Sequence, residues 1–184
     1  MNPIDRLRAW WEEAGDGAMT LATASPDGVP SARTVLLRAV DGEELVFGTS
    51  LASRKGRELL ANPRVACVLH WAGAGRQVRV EGVARVAGRT ETEALWAGRG
   101  RDGRLVDHVS DEGRPLPHPG ALAEAFAAAD AELGEEVPCP PDWAAVRIRP
   151  DMVELWEARE RRQAHRRAFR RDGGGPWRAQ VLWP

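Results

Sequence analysis

Between Met19 and Val86 the chain alternates and turns back every few residues, and this spacing limits the folds open to it. Met19 to Ala24 alternates with the period of a strand and runs into the turn Ser25-Pro26-Asp27-Gly28. Ala32 to Val40 reads as a second strand, closed by the hairpin signal Asp41-Gly42, and Leu45 to Thr49 as a third. Ser53 is placed to cap a short helix over 54–61 that stops before Asn62-Pro63. Val65 to Trp71 is a fourth strand, and Gln77 to Val86 a fifth, with Val78 and Val80 set against Arg79 and Glu81. Parallel strands need crossovers of a dozen residues or more, and most of these links are turns or one short helix. The expectation is a mainly β chain with peripheral helices (α+β), built as an antiparallel barrel.

The flanking segments fit that plan. Pro3 to Ala14 reads as a helix with Leu7, Trp10 and Trp11 on one face. Thr90 to Gly98 and the alanine-rich stretch from Ala121 to Leu133 read as helices, with an irregular segment over 100–119 between them. After Pro138-Cys139-Pro140-Pro141 come expected strands at Val146 to Ile148 and Met152 to Trp156, an arginine-rich stretch, a glycine turn at 173–175 and a last strand from Trp177 to Trp183. No GxGxxG follows the first strand and no GxxxxGK[ST] occurs, which argues against dinucleotide and P-loop folds. At 184 residues the chain suits one domain over 1–184, with a helix in 1–16 and closing strands in 159–184.

Composition excludes several classes. A net charge of −1 provides no general field for nucleic acid or an anionic membrane. The arginines between Arg159 and Arg171 are offset by Glu157 and Glu160 and lack interleaved aromatic platforms beyond Phe169. Cys67 and Cys139 have no metal-ligand spacing. No signal segment and no membrane-spanning apolar run is evident, so the cytoplasm is the expected compartment. The chain has no tyrosine, so no phenol can serve as acid or phosphate ligand.

Three polar clusters interrupt the strands: Arg33 and Arg38 around a run of apolar residues, Thr49 with Ser53-Arg54-Lys55, and Arg76-Gln77-Val78-Arg79. Lys55 is the sole lysine among 26 basic residues. A compact ammonium beside an arginine at a strand-to-helix junction suits a phosphate clamp; a lysine that merely survived an arginine-rich composition is the plain alternative.

Taken in order, these clusters resemble the pyridoxamine 5′-phosphate oxidase-like family. The matching stretches are Gly17 to Thr23; Pro30 with Arg33, Val35, Leu36, Leu37 and Arg38; Val46-Phe47 with Thr49; Ser53-Arg54-Lys55; Asn62-Pro63-Arg64; and Arg76-Gln77-Val78. Pro138, Pro140, Trp143, Trp156, Arg162, Arg166, Trp177 and Pro184 continue the match through the C-terminal part. The resemblance implies an FMN-binding split β-barrel of antiparallel Greek-key type, with FMN at the interface of a homodimer. It assigns cofactor contacts to Arg33, Thr34, Val35, Leu36, Leu37, Arg38, Gly48, Thr49, Arg54, Lys55, Gln77, Trp156 and Arg166. The Glu112-Gly113 pair falls where the family has a Gln-Ser pair reaching FMN from the partner subunit.

The departures gather at the family's substrate positions. Its tyrosine, arginine and serine for the substrate phosphate align with Leu95, Arg99 and Gly103, and its strand-end lysine with Arg38. Its Arg-Leu-His-Asp-Arg motif aligns with Arg162-Gln163-Ala164-His165-Arg166, so the substrate-contacting histidine is Ala164 and His165 comes one position late. The implied activity is an FMN-dependent oxidase that takes a hydride from a reduced nitrogen heterocycle or amine, with oxygen as acceptor and peroxide as product. That character is similar to the flavin oxidases of phenazine biosynthesis, family members recruited to secondary metabolism. Arg38, Arg99 and Arg162 are candidates for holding a substrate carboxylate, and His108 and His165 for acid/base work. The alternatives are a pyridoxamine/pyridoxine 5′-phosphate oxidase with drifted contacts and a non-catalytic flavin- or F420-binding protein.

Overall fold

The computed structural model of the chain describes residues 1–183; Pro184 and the side chain of Arg162 lie outside the described residues. Helix α1 (Pro3–Ala14) begins where Asn2 accepts the amide of Ile4 at 2.9 Å and ends at Gly15, whose φ of 62° is left-handed. Strands β1 (Ala18–Ala24), β2 (Pro30–Leu36), β3 (Ala39–Asp41) and β4 (Glu44–Ser50) follow, then α2 (Arg54–Ala61), β5 (Arg64–Trp71) and β6 (Arg76–Val86). Helices α3 (Arg89–Ala97), α4 (Arg101–Val109) and α5 (Ala121–Glu132) lead to β7 (Trp143–Glu157), β8 (His165–Arg170) and β9 (Arg178–Val181). No helix among the described residues is long and apolar enough to cross a membrane.

The strands form one curled antiparallel sheet in the order β2-β1-β5-β6-β7-β4-β3, with β8 added to β7 and β9 to β8. This is a split barrel with peripheral helices, as the strand spacing implied. Its core follows from alternation: Met19 and Leu21 of β1, Val78 and Val80 of β6, and Val153 and Leu155 of β7 point inward against Ile4 and Leu7 of α1. A second, smaller core packs Trp96, Leu105 and Val137 around Trp143 at the start of β7.

The structure corrects three expectations. The segment from Ala32 to Val40 is two strands, because the chain changes partners: β2 pairs with β1, the amide of Leu37 donates to Gly17 at 2.7 Å, that of Arg38 donates to Val46 at 2.8 Å, and β3 pairs with β4. The segment over 100–119 contains α4, held by the fully buried Leu105 and by Arg101, which reaches Asp130 and the Leu133 carbonyl. Tertiary packing there overrides the weak helix propensity of Gly103. The two short strands expected after Pro141 are one strand, β7, which absorbs the break at Pro150-Asp151 in a bulge opposite Gly82. A Cβ at Gly82 would stand 2.2 Å from the Arg149 carbonyl oxygen, so only glycine fits there.

Candidate functional site

A cleft of about 220 Å³ opens where β2 hands over to β3. Thr34, Val35, Leu36 and Arg38 form one side; Gly48, Thr49 and Ser50 of β4, with Trp143, form its floor; Lys55, Arg99, Asp107, Ser110 and Glu112 close the rest. The local sequence explains the placement. Ser53 accepts the Gly56 amide at 3.2 Å and starts α2 so that Lys55 falls in its first turn, facing the cleft. Lys55 is buried, and its ammonium contacts the Glu112 carboxylate of the same chain, so Glu112 stands at its own chain's cleft, where the resemblance has that position reach FMN from the partner subunit.

Arg99 extends from the end of α3 over the rings of Trp96 and Trp143, its guanidinium carbon 5.8 and 5.4 Å from their centroids. It donates to the Gly103 carbonyl at 2.9 Å and pairs with Asp107 at 2.8 Å. Burial, together with the nearby Arg38, pulls the Arg99 pKa below its ordinary value, while Asp107 opposes that shift. Asp107 also accepts the indole N–H of Trp143 at 2.8 Å, which ties the two walls of the cleft together.

Arg33 and Arg54 do not line this cleft. Both turn to Glu58, a buried carboxylate of α2: Arg54 donates at 2.8 Å and Arg33 approaches to 3.4 Å. Thr23 and Ser31 donate hydroxyls to Glu58 at 2.5 and 2.7 Å. These two hydroxyl bonds, led by Thr23 and assisted by Arg54, outweigh desolvation and bring the Glu58 pKa down to about 2.

Gln77, Trp156 and Arg166 form a separate row. Gln77 pairs with Trp156 across β6 and β7, and Trp156 with Arg166 across β7 and β8. Arg166 grips the buried Glu154 through two bonds of 2.8 and 3.2 Å, and Arg79 reaches the same carboxylate at 3.4 Å. None of the three lines the cleft around Lys55.

The remaining assignments divide as follows. Leu37 is buried in the main core, and Leu95 packs against the smaller one. Gly103 touches the site only through its carbonyl bond to Arg99. Gly113 borders a different hollow with Leu116 and Leu122. Ala164 is half-buried just before β8. Neither histidine reaches the cleft: His108 contacts the Pro138 carbonyl at 3.2 Å, and His165 faces a hollow beside Arg6, Trp10 and Arg167. His165 pairs with Glu157, one position along from Arg166, and so lies on the opposite face of the sheet. The Arg162 side chain falls outside the described residues. Sequence reasoning missed Ser50, Asp107 and Ser110 and gave Trp143 no role at the site.

The profile of the pyridoxamine 5′-phosphate oxidase family matches residues 5–157, and that of a pyridoxine 5′-phosphate oxidase C-terminal dimerisation region matches 143–184. A pyridoxine/pyridoxamine 5′-phosphate oxidase of Gluconobacter oxydans is 40% identical, with 100% of this chain and 94% of that protein covered. One from Rubrobacter xylanophilus is 41% identical, covering 100% of this chain and 87% of that protein. Among solved structures, PhzG from Burkholderia lata, in complex with tetrahydrophenazine-1-carboxylic acid, superposes with a TM-score of 0.92 at 31% identity, covering 100% of this chain and 93% of that one. The chain belongs to the pyridoxamine 5′-phosphate oxidase family of FMN-dependent oxidoreductases.

Proposed function

We propose that the chain is an FMN-dependent oxidase whose substrate is a reduced nitrogen heterocycle or amine carrying at most one negative charge, such as a ring carboxylate. The observation that supports this is the state of Arg99. A substrate phosphate is a dianion, and the family's tyrosine and serine hydroxyls are replaced by Leu95 and Gly103. The one cation left at that position is already matched by Asp107 at 2.8 Å. Such a site suits a carboxylate or a neutral ring better than a phosphate.

The cofactor subsite fits FMN by the chemistry of its donors. The Lys55 ammonium, the Thr49 hydroxyl and the start of α2 suit a phosphate, and the edge of β2 from Thr34 to Leu36 offers backbone groups and apolar surface to a flat ring. Bound FMN supplies a hydride acceptor that oxygen restores, with peroxide as the product. Arg38 and Arg99 orient the substrate anion, and Trp143 with Asp107 keeps Arg99 in place. No histidine lies in the cleft among the described residues, so orientation by these groups carries the catalytic burden.

The cleft of one chain, about 220 Å³, is smaller than the roughly 300–1,000 Å³ of pockets that enclose a whole ligand. The row Gln77-Trp156-Arg166 stands apart on the same chain, within or beside the segment matched by the dimerisation profile. Both points support a homodimer in which one chain's cleft and the other's row enclose each FMN, with Arg33 and Arg54 acting from the Glu58 network. On this reading residues 1–184 act as one flavin domain, with 159–184 closing the partner's site. Two free thiols, Cys67 and Cys139, suit the cytoplasm.

A second reading, a pyridoxine/pyridoxamine 5′-phosphate oxidase, is favoured by the 40% identity to the Gluconobacter enzyme over the whole chain. Oxygen uptake by the FMN-loaded protein separates the two. Faster turnover of tetrahydro nitrogen-heterocycle carboxylates, with one peroxide per product, supports the first. A higher kcat/KM for pyridoxine or pyridoxamine 5′-phosphate overturns it in favour of the second.

A further inference from the structure

Lys55 and Glu112 are an unequal pair. Only 7% of the Lys55 side chain reaches solvent, against 47% for Glu112. Lys55 is fixed in the first turn of α2, and among the described residues its ammonium contacts one group, the Glu112 carboxylate. Glu112 stands in the irregular stretch between α4 and α5, next to Gly113 at φ 89° and inside a turn closed by the Arg114 amide on the Asp111 carbonyl at 3.1 Å. A buried ammonium without an anion is strongly disfavoured, and Glu112 supplies that anion from a position with room to withdraw.

The geometry points to Glu112 as an internal anion that holds the cofactor's phosphate subsite and must leave Lys55 before a phosphate can take its place. This rests on the FMN reading given above. A carboxylate and a phosphate dianion on one ammonium would set like charges a few ångströms apart in a half-buried cleft. Of the other cations lining the cleft, Arg99 is engaged with Asp107 and Arg38 is assigned above to the substrate anion, so Lys55 is the cation the two anions would share. Glu112 therefore lowers affinity for a flavin that carries a phosphate and leaves one that lacks it unaffected. Glutamine at this position keeps an acceptor for Lys55 and removes the charge.

Titration of the apoprotein with FMN and with riboflavin, read by quenching of flavin fluorescence, tests this. Glu112→Gln should bind FMN about tenfold more tightly, the equivalent of about 1.4 kcal/mol, with riboflavin affinity unchanged. Glu112→Ala, at the same half-exposed position, should shift FMN in the same direction. Unchanged or weaker FMN binding, or equal tightening of both flavins, overturns the inference and leaves the FMN reading standing. Failure of wild type and variants alike to bind FMN overturns the FMN reading itself.

Discussion

Gly48 lies against the indole of Trp143, and a Cβ at position 48 would stand 2.3 Å from that ring. The absence of a side chain on β4 is thus what allows Trp143 to floor the cleft and to hold Asp107. Gly48→Ala should displace the indole and lower stability by about 1–3 kcal/mol, as overpacked cores do. Denaturant unfolding measures the loss. A wild-type midpoint would show that the ring has space to spare.

The Glu58 network predicts a defined acid response. Its carboxyl lies at about 2 in the folded chain against an ordinary 4.5. A depressed folded pKa contributes stability that is fully present above pH 4.5 and is lost as the pH falls towards 2. The contribution is at most roughly 3 kcal/mol. Glu58→Gln should be less stable than wild type at pH 7, and the difference should shrink steadily on acidification. A constant difference between pH 7 and 3 would remove Glu58 from the account.

Lys55→Ala should weaken FMN binding by about ten- to a hundredfold, the range of a charge-assisted hydrogen bond. Flavin retention through gel filtration, followed by a fluorescence titration, reads this directly. Full retention with unchanged affinity would make the lone lysine an accident of composition.

The substrate proposal predicts a gain of function. Leu95→Tyr with Gly103→Ser restores the two hydroxyls missing beside Arg99, and the new Cβ at position 103 would stand 3.4 Å from the guanidinium. The double variant should raise kcat/KM for pyridoxine 5′-phosphate while leaving FMN affinity near wild type. If wild type already turns over this phosphate as fast as the variant does, the hydroxyls are not the deciding feature.

Much of this was legible in the sequence, for local reasons. The helices over 3–14 and 54–61 agree residue for residue because Pro3, Ser53 and Asn62-Pro63 mark their ends chemically. The break at Leu37-Arg38 was invisible because both residues continue the alternation, and only the exchange of β1 for β4 as partner ends the strand. At the site, Arg38, Thr49, Lys55 and Arg99 do converge on one cleft. Arg33 and Arg54 do not, because Glu58, four residues past Arg54, competes for both, and a sequence motif records a cation without its counter-ion. Asp107 carries no signal in the sequence, because a stretch rich in glycine and proline shows no helical face that would set it against Arg99.

Strand β7 carries Trp143 at its start and reaches Trp156 only after about 43 Å of extended contour. The cleft and the row Gln77-Trp156-Arg166 thus lie towards opposite ends of β7 within each molecule. The genetic consequence, under the composite-site proposal, is complementation between two defective alleles. Chains bearing Lys55→Ala and chains bearing Trp156→Ala, each impaired alone at limiting FMN, should regain activity when refolded together, because each mixed pair would assemble one site that neither mutation touches.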